Sequence, residues 1–176
     1  DEFSKTGIIS RAIKSGQVSI QATQLRNYCI NSQGQLDDTP YGGGSGMVLR
    51  PEPVEAAIKE AKAAHPKART ILMSPRGKKL TQEKARALAN SGDDLIILCN
   101  RYEGVDQRAI DLFIDEEISI GDFILMGGET AALTLVESVV RIIPGVLGNP
   151  ESLVLESYES PYLEHPQYTK PRVFME

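Results

Sequence analysis

Residues 95–114 read LIILC, then NRYEGVD, then QRAIDLFI. A short apolar run with β-branched Ile96 and Ile97, a glycine-bearing loop and a segment with helical spacing together read as strand, loop and helix. The unit recurs on both sides. Upstream, TILM (70–73) runs into SPRGKK and then TQEKARALANSG, a helix opened by Thr81 and closed by Gly92. Downstream, EEISIGD and FILM (123–126) supply one or two more strands, followed by GGE and a long helix, TAALTLVESVVRII, that Pro144 ends. Strands bounded in this way, apolar on both faces, belong in a parallel sheet covered by helices on both sides, so the expected fold class is α/β. In such sheets ligands sit beyond the carboxyl ends of the strands, and the three loops are expected to share one site.

Ahead of these units, PEPVEAAIKEAKAAHP (51–66) has prolines at its entrance, apolar Val54, Ala57, Ile58 and Ala61, and a stop at Pro66, which together predict an amphipathic helix. Before it stands PYGGGSGM (40–47), with four glycines in five positions. It is no dinucleotide fingerprint, because counting G-x-G-x-x-G from Gly42 or Gly44 ends on Met47 or Leu49. SPRGKK fails as a P-loop in the same way, its first glycine falling on Leu72 and its Ser/Thr on Lys79. Any nucleotide-like ligand is therefore held by a different loop arrangement.

The totals bound the class. At 176 residues one domain is expected, and no apolar run approaches the roughly 18 residues of a membrane span, so a soluble chain is expected. Nothing resembles a secretory signal. Cys29 and Cys99 lie far apart and form no CxxC, which fits a reduced, cytoplasmic compartment; with only His65 and His165 besides, no metal site is expected. The net charge of −5 argues against a general nucleic-acid binder but hides a polarity. Between Lys59 and Arg86 nine basic residues face two acids, Glu60 and Glu83, whereas between Glu103 and Glu137 nine acids face Arg108 alone. Two readings stand: solvated faces of opposite sign, or a basic stripe for phosphates beside an acidic site.

Six blocks, DDTPYGGGSGMVLRPEP, ILMSPRGKKL, LCNRYEGVDQR, DEEISIGDFILMGGE, VVRIIPGVLGN and LEHPQYTKP, resemble in order and spacing the bacterial tRNA (guanine-N1)-methyltransferases of the TrmD family. The resemblance covers nearly the whole chain. It implies a SPOUT-type domain with a trefoil knot at the carboxyl side of the sheet, a homodimer with the site at the interface, and methyl transfer from S-adenosylmethionine to N1 of guanine 37 of tRNA. Carried over by position, it implies cofactor contacts from Met73, Ser74 and Pro75, from Asn100, Tyr102, Glu103 and Gly104, and from Ile120, Gly121, Asp122, Phe123, Ile124, Leu125, Gly127 and Gly128. Arg141 and Glu156 are implied as the catalytic pair. PYGGGSGM is implied to lie beside the target base as a close-approach segment, with Tyr41 as a stacking surface. Residues 1–160 are implied to form the catalytic domain, without the family's first strand, and 161–176 to begin a linker towards a C-terminal helical domain that helps grip tRNA. Cofactor binding is then expected to persist while RNA methylation falls. The chain departs from the family's pattern at Asn100 (usually Gly), at Thr130 and Ala131 (usually Leu-Pro), and at Glu156 (often Asp).

The chemistry needs such residues. Guanine N1 carries a proton, and a carboxylate can take it while also accepting from the exocyclic amino group. As the proton leaves, charge builds on O6, where a guanidinium offers donors in plane. Plainer readings stand beside these: Glu137 and Arg141, four apart on one helix, as an ion pair; Glu103 as a first-turn acid of the helix beginning near Val105; and Glu156 as one of three acids, with Glu151 and Glu159, in an irregular stretch. Two other functions remain open, a non-catalytic RNA-binding module using the basic stripe 59–86, and another nucleotide-using transferase with SPRGK as its phosphate contact.

Overall fold

The computed structural model describes residues 2–149, 153, 156–158 and 163–175. Helix α1 (Gly7–Lys14) is followed by a short antiparallel ladder of β1 (Asp37–Asp38) with β2 (Val48–Leu49) and by α2 (Pro51–Ala64). The strand and helix units come next: β3 (Arg69–Lys79), α3 (Gln82–Ser91), β4 (Leu95–Cys99), α4 (Gln107–Phe113), β5 (Glu116–Ser119) and α5 (Glu129–Val140). Strands β4, β3 and β5 form one sheet, parallel as expected, and their spatial order is β4-β3-β5.

Period-two alternation along β3 distributes the core to both faces. Ile71 and Met73 pack with Ile118 against Ala85 and Leu88 of α3 and Leu135 and Val139 of α5. Leu72 and Leu98 pack on the other face against Val54 and Ile58 of α2 and Ala109 and Ile110 of α4. Each such side chain contributes about 1.5–3 kcal/mol by leaving water. The predicted helix ends hold: the Thr81 hydroxyl accepts from Lys84 N at 3.2 Å, and Gly92 closes α3 in the left-handed region at φ 69°. Helix α1 packs Ile9 and Ala12 against Val140 and Val146, beyond the other end of α5.

Four expectations are corrected. SPRGKK is not a loop leading straight to a helix, because β3 continues through it. Both Met73 and Lys78 pair with Ile118, so the chain bulges away from β5 over 74–77 and then returns to it. Gly77 makes the return possible: a β-carbon there would stand 2.5 Å from the carbonyl carbon of Glu117 and the nitrogen of Ile118. FILM is not a strand. The hydroxyl of Ser119 accepts from Gly121 N at 3.2 Å and donates to Gly121 O at 3.0 Å, which turns the chain out of the ladder, and Phe123 to Met126 are exposed. β4 is an edge strand of the described sheet with only Leu98 buried, rather than a buried strand. Glu103 is not a first-turn acid of α4, which has none; the helix is opened by Asp106, its N-cap, which accepts from Arg108 N at 2.9 Å. None of the helices among the described residues is long and apolar enough to cross a membrane.

Candidate active site

The parallel register sets the level of the site. Met73 pairs with Cys99 on one side and Ile118 on the other, so all three strands send their following segments out from one edge. Met73 and Ser74 are buried at that edge, and the Ser74 hydroxyl accepts from Arg76 N at 3.3 Å, while Pro75 is exposed on the bulge. In the second segment Tyr102 adopts φ 61° and leaves its ring half exposed, and Gly104 follows at φ 124°.

The second and third segments are sewn together. Gly128 N donates to Asn100 O at 2.8 Å, and Arg101 bridges Gly127 in antiparallel fashion. A β-carbon on Gly128 would stand 2.9 Å from Asn100 N and from Cys99 Cα, so glycine is required by close approach. Asn100, the departure from the family's usual Gly, turns Oδ1 towards Gly128. Arg101 Nε donates to Glu129 Oε1 at 2.8 Å across the same seam. Burial and the nearby Glu129 carboxylate push the Cys99 thiol up to about 11. Lys79 at the end of β3 pairs with Asp122 at 2.5 Å, which ties β3 to the third segment. In that segment Gly121 lies against the Phe123 ring, while Ile124 and Leu125 stand exposed beyond Ile120.

PYGGGSGM closes the short ladder of β1 and β2 and is held to the second segment. Glu103 N donates to Met47 O at 3.0 Å, Leu49 N donates to Gly104 O at 2.9 Å, and the Glu103 side chain occupies the space where a β-carbon on Gly46 would stand. Gly42, Gly43, Gly44 and Gly46 all have positive φ, and Tyr41 is fully exposed. The backbone bonds are made by Met47 and Leu49, whereas a β-carbon on Gly42 or Gly43 would meet nothing within 4 Å and one on Gly46 would meet only the Glu103 side chain.

Arg141 and Glu156 meet. Arg141 is the C-cap of α5. Its Nη1 donates to Glu156 Oε1 at 2.8 Å and its Nη2 to Oε2 at 2.5 Å, a bidentate pair in which the carboxylate is mostly buried. Arg141 therefore has the Glu156 carboxylate as a partner, beyond the plain i,i+4 reading with Glu137. The competing acids Glu151 and Glu159 lie outside the described residues, as does the expected domain boundary at 160/161. His165 is exposed outside any helix or strand. A third group, which no sequence motif marks, joins the pair: Gln82 Nε2 donates to Glu156 Oε1 at 3.1 Å. Gln82, Arg101 and Glu129 are invisible as site residues in the sequence because their partners lie 74 and 28 positions away; only the helix-start position of Gln82 is readable there.

The basic stripe is largely neutralised from within. Lys62 pairs with Asp115, Arg69 and Lys84 with Glu116, Arg76 with Glu117, Lys79 with Asp122 and Lys59 with Glu55. The basic residues of β3 and the acids around β5 are the two sides of one strand pairing, which corrects the picture of a stripe standing beside an acidic site. This removes much of the ground for an RNA-binding module built on the stripe alone.

The chain is similar to known proteins along nearly its whole length. The family described as tRNA (Guanine-1)-methyltransferase TrmD matches residues 1–176. A tRNA (guanine-N(1)-)-methyltransferase of Myxococcus xanthus is 52% identical over 167 residues, covering 95% of this chain and 67% of that protein. The protein of the same name from Desulfatibacillum aliphaticivorans is 48% identical over 172 residues, covering 98% of this chain and 65% of its own length. The chain thus spans about two thirds of these curated relatives. The crystal structure of tRNA (m1G37) methyltransferase from Aquifex aeolicus superposes with a TM-score of 0.79 at 40% identity, over 98% of this chain and 71% of that one. At the level of the family, the expected methyltransferase class, with S-adenosylmethionine as methyl donor, is borne out. With its whole length matched and its α/β fold shared, the chain belongs to the tRNA (guanine-1)-methyltransferase family TrmD.

Proposed function

We propose that this chain methylates N1 of a tRNA guanine, the one at position 37 beside the anticodon, in a cytoplasmic homodimer whose site lies at the subunit interface. The observation that carries the reading is the bidentate pair of Arg141 and Glu156. The Watson–Crick edge of guanine offers an acceptor at O6 and donors at N1 and the amino group, so it matches a guanidinium and a carboxylate standing side by side. Entering guanine exchanges O6 for a Glu156 oxygen at Arg141 and gives N1–H to Glu156 in place of an Arg141 donor. Glu156 then takes the N1 proton, and Arg141 holds the charge that gathers on O6. Adenine lacks both O6 and the N1 proton, and leaves the pair unmatched.

The strand-end segments suit S-adenosylmethionine, which supplies an already activated methyl group when bound. Bare backbone at Gly104, exposed Tyr102, Phe123, Ile124 and Leu125, buried Met73 and Ser74, and Gly127 and Gly128, which let the second and third segments close together, are a fitting set for an adenine ring and a thioether chain. Pro75, Asn100, Glu103, Ile120, Gly121 and Asp122 complete the proposed contacts. The homodimer draws support from the run of exposed apolar side chains Phe123 to Met126. The trefoil knot is proposed at the carboxyl side of the sheet. Cys29 and Cys99 are free, in keeping with a reducing compartment. Residues 1–160 are proposed as the catalytic domain and 161–176 as the start of a linker.

The test is labelled methyl transfer to tRNA transcripts that differ only in G or A at position 37, with Arg141→Ala and Glu156→Gln as controls. Transfer to the G transcript alone, abolished in both variants, is expected. Equal transfer to both transcripts refutes the specificity, and unimpaired variants refute the site.

A further inference from the structure

Glu156 Oε1 accepts from two side chains that come from different helices, Arg141 Nη1 at 2.8 Å and Gln82 Nε2 at 3.1 Å, whereas Oε2 accepts from Arg141 Nη2. We propose that Gln82 is a positioning residue that keeps the Glu156 carboxylate aimed at guanine N1 once the substrate has drawn Arg141 away from it. The inference rests on the reading of Glu156 as the base.

The two bonds from Arg141 are the ones guanine consumes, since O6 claims the guanidinium and N1–H claims the carboxylate. A glutamate released from both would regain its rotamers just when it must sit in line with N1, and that freedom has to be lost again for the proton to transfer. The bond from Gln82 is not consumed. Its anchor is firm, because Gln82 is the first residue of α3, whose start is fixed by the Thr81 cap and whose Ala85 and Leu88 are buried in the core. The neutral amide is also the right kind of donor. A cation there would hold the carboxylate charged too strongly to accept a proton, and an acid would repel it, whereas an amide stabilises the charged form moderately. The charged groups on the two packed helices are Glu129 and Glu137 of α5, with Arg141 as its C-cap, and Glu83, Lys84 and Arg86 of α3. Of these Arg141 is bonded to Glu156, while Lys84 is committed to Glu116.

The test compares Gln82→Met, which keeps the shape and removes the donor, with Gln82→Asn, which keeps the donor on a shorter arm. Both are set beside wild type and Glu156→Gln, in methyl transfer to a G37 transcript at saturating S-adenosylmethionine across pH. Loss of a donor to a charged acceptor is expected to lower kcat about tenfold in Gln82→Met. It is also expected to move the acid limb of the kcat profile to higher pH, because the carboxylate loses a bond that favoured its charged form. KM for S-adenosylmethionine is expected to stay near wild type, the melting temperature to fall by no more than a few degrees, and Gln82→Asn to fall between Gln82→Met and wild type. Wild-type kcat and an unmoved limb in Gln82→Met, with Glu156→Gln inactive, would overturn the role of Gln82 and leave the base reading standing. A fall in both kcat and melting temperature with the limb unmoved would reduce Gln82 to a structural contact and also overturn it. A fully active Glu156→Gln would remove the base, and the inference with it.

Discussion

Glu156→Gln replaces a single carboxylate oxygen by an amide nitrogen at the centre of a three-residue contact. In the native pair both carboxylate oxygens accept from the Arg141 guanidinium, and Oε1 accepts from Gln82 as well. Glutamine keeps one acceptor and turns an NH2 towards a guanidinium that has only donors to offer. One charge-assisted bond is lost and the other weakens, and bonds of that kind contribute about 1.5–3 kcal/mol. The carboxylate is mostly buried but the guanidinium is about one third exposed, so water recovers part of the loss. A net destabilisation of about 1–3 kcal/mol corresponds to a fall in melting temperature of about 3–10 °C for a chain of this size. The catalytic loss is far larger, since removing a general base typically costs about a hundred- to ten-thousandfold in rate. Differential scanning fluorimetry supplies the first quantity and single-turnover methyl transfer at a temperature well below both midpoints supplies the second. Arg141→Ala and the double variant close a cycle, and because the two residues act on one base edge, the double variant is expected to be little slower than the worse single one. Methyl transfer within twofold of wild type in Glu156→Gln, or rate losses that simply multiply in the double variant, would refute the pair as one catalytic unit.

Gly128→Ala is expected to weaken S-adenosylmethionine binding by about tenfold or more, because a β-carbon 2.9 Å from the backbone at Cys99 and Asn100 must spread two cofactor segments that a 1 Å misplacement already impairs; calorimetry with S-adenosylmethionine checks it. Thr70→Val is expected to raise the melting temperature by about 2–4 °C, since Thr70 is fully buried with an unpartnered hydroxyl whose desolvation costs about 1 kcal/mol or more. The Arg108 side chain, and then its backbone N–H, hold the Asp106 carboxyl below its ordinary 3.8. A depressed folded value means that this stabilisation is present above the ordinary value and is lost as pH falls through the folded one. Asp106→Asn, still a helix cap, is therefore expected to flatten the acid loss of stability below about pH 4 and to lower the urea midpoint at pH 7, where the stabilisation of the charged form is present.

The readable parts of this chain were those governed by neighbours in sequence. Apolar runs marked β3, β4 and β5, helical spacing marked α2 to α5, and Thr81 and Gly92 marked the ends of α3, because hydrophobic period and capping are local physics. The parallel sheet emerged from those units, and with it the shared edge to which the cofactor residues were assigned. Misreadings came where local signals met a partner far away. Pro75 and Gly77 look like a turn, yet the chain there returns to β5 because Gly77 lets two backbones touch; FILM looks like a strand, yet the Ser119 and Gly121 bonds end the ladder before it. The charge blocks of 59–86 and 103–137 were visible as composition, but their mutual neutralisation depended on β3 lying beside β5.

By itself, then, the sequence determined the order of elements, the fold class and, through six ordered blocks, the family. Only the tertiary structure decided that Glu156 meets Arg141 and Gln82, because a bidentate pair and its third donor require three side chains, drawn from two helices and an irregular stretch, to converge within hydrogen-bond reach. No spacing along a chain encodes that convergence; the packing of α3 and α5 on one face of the sheet does.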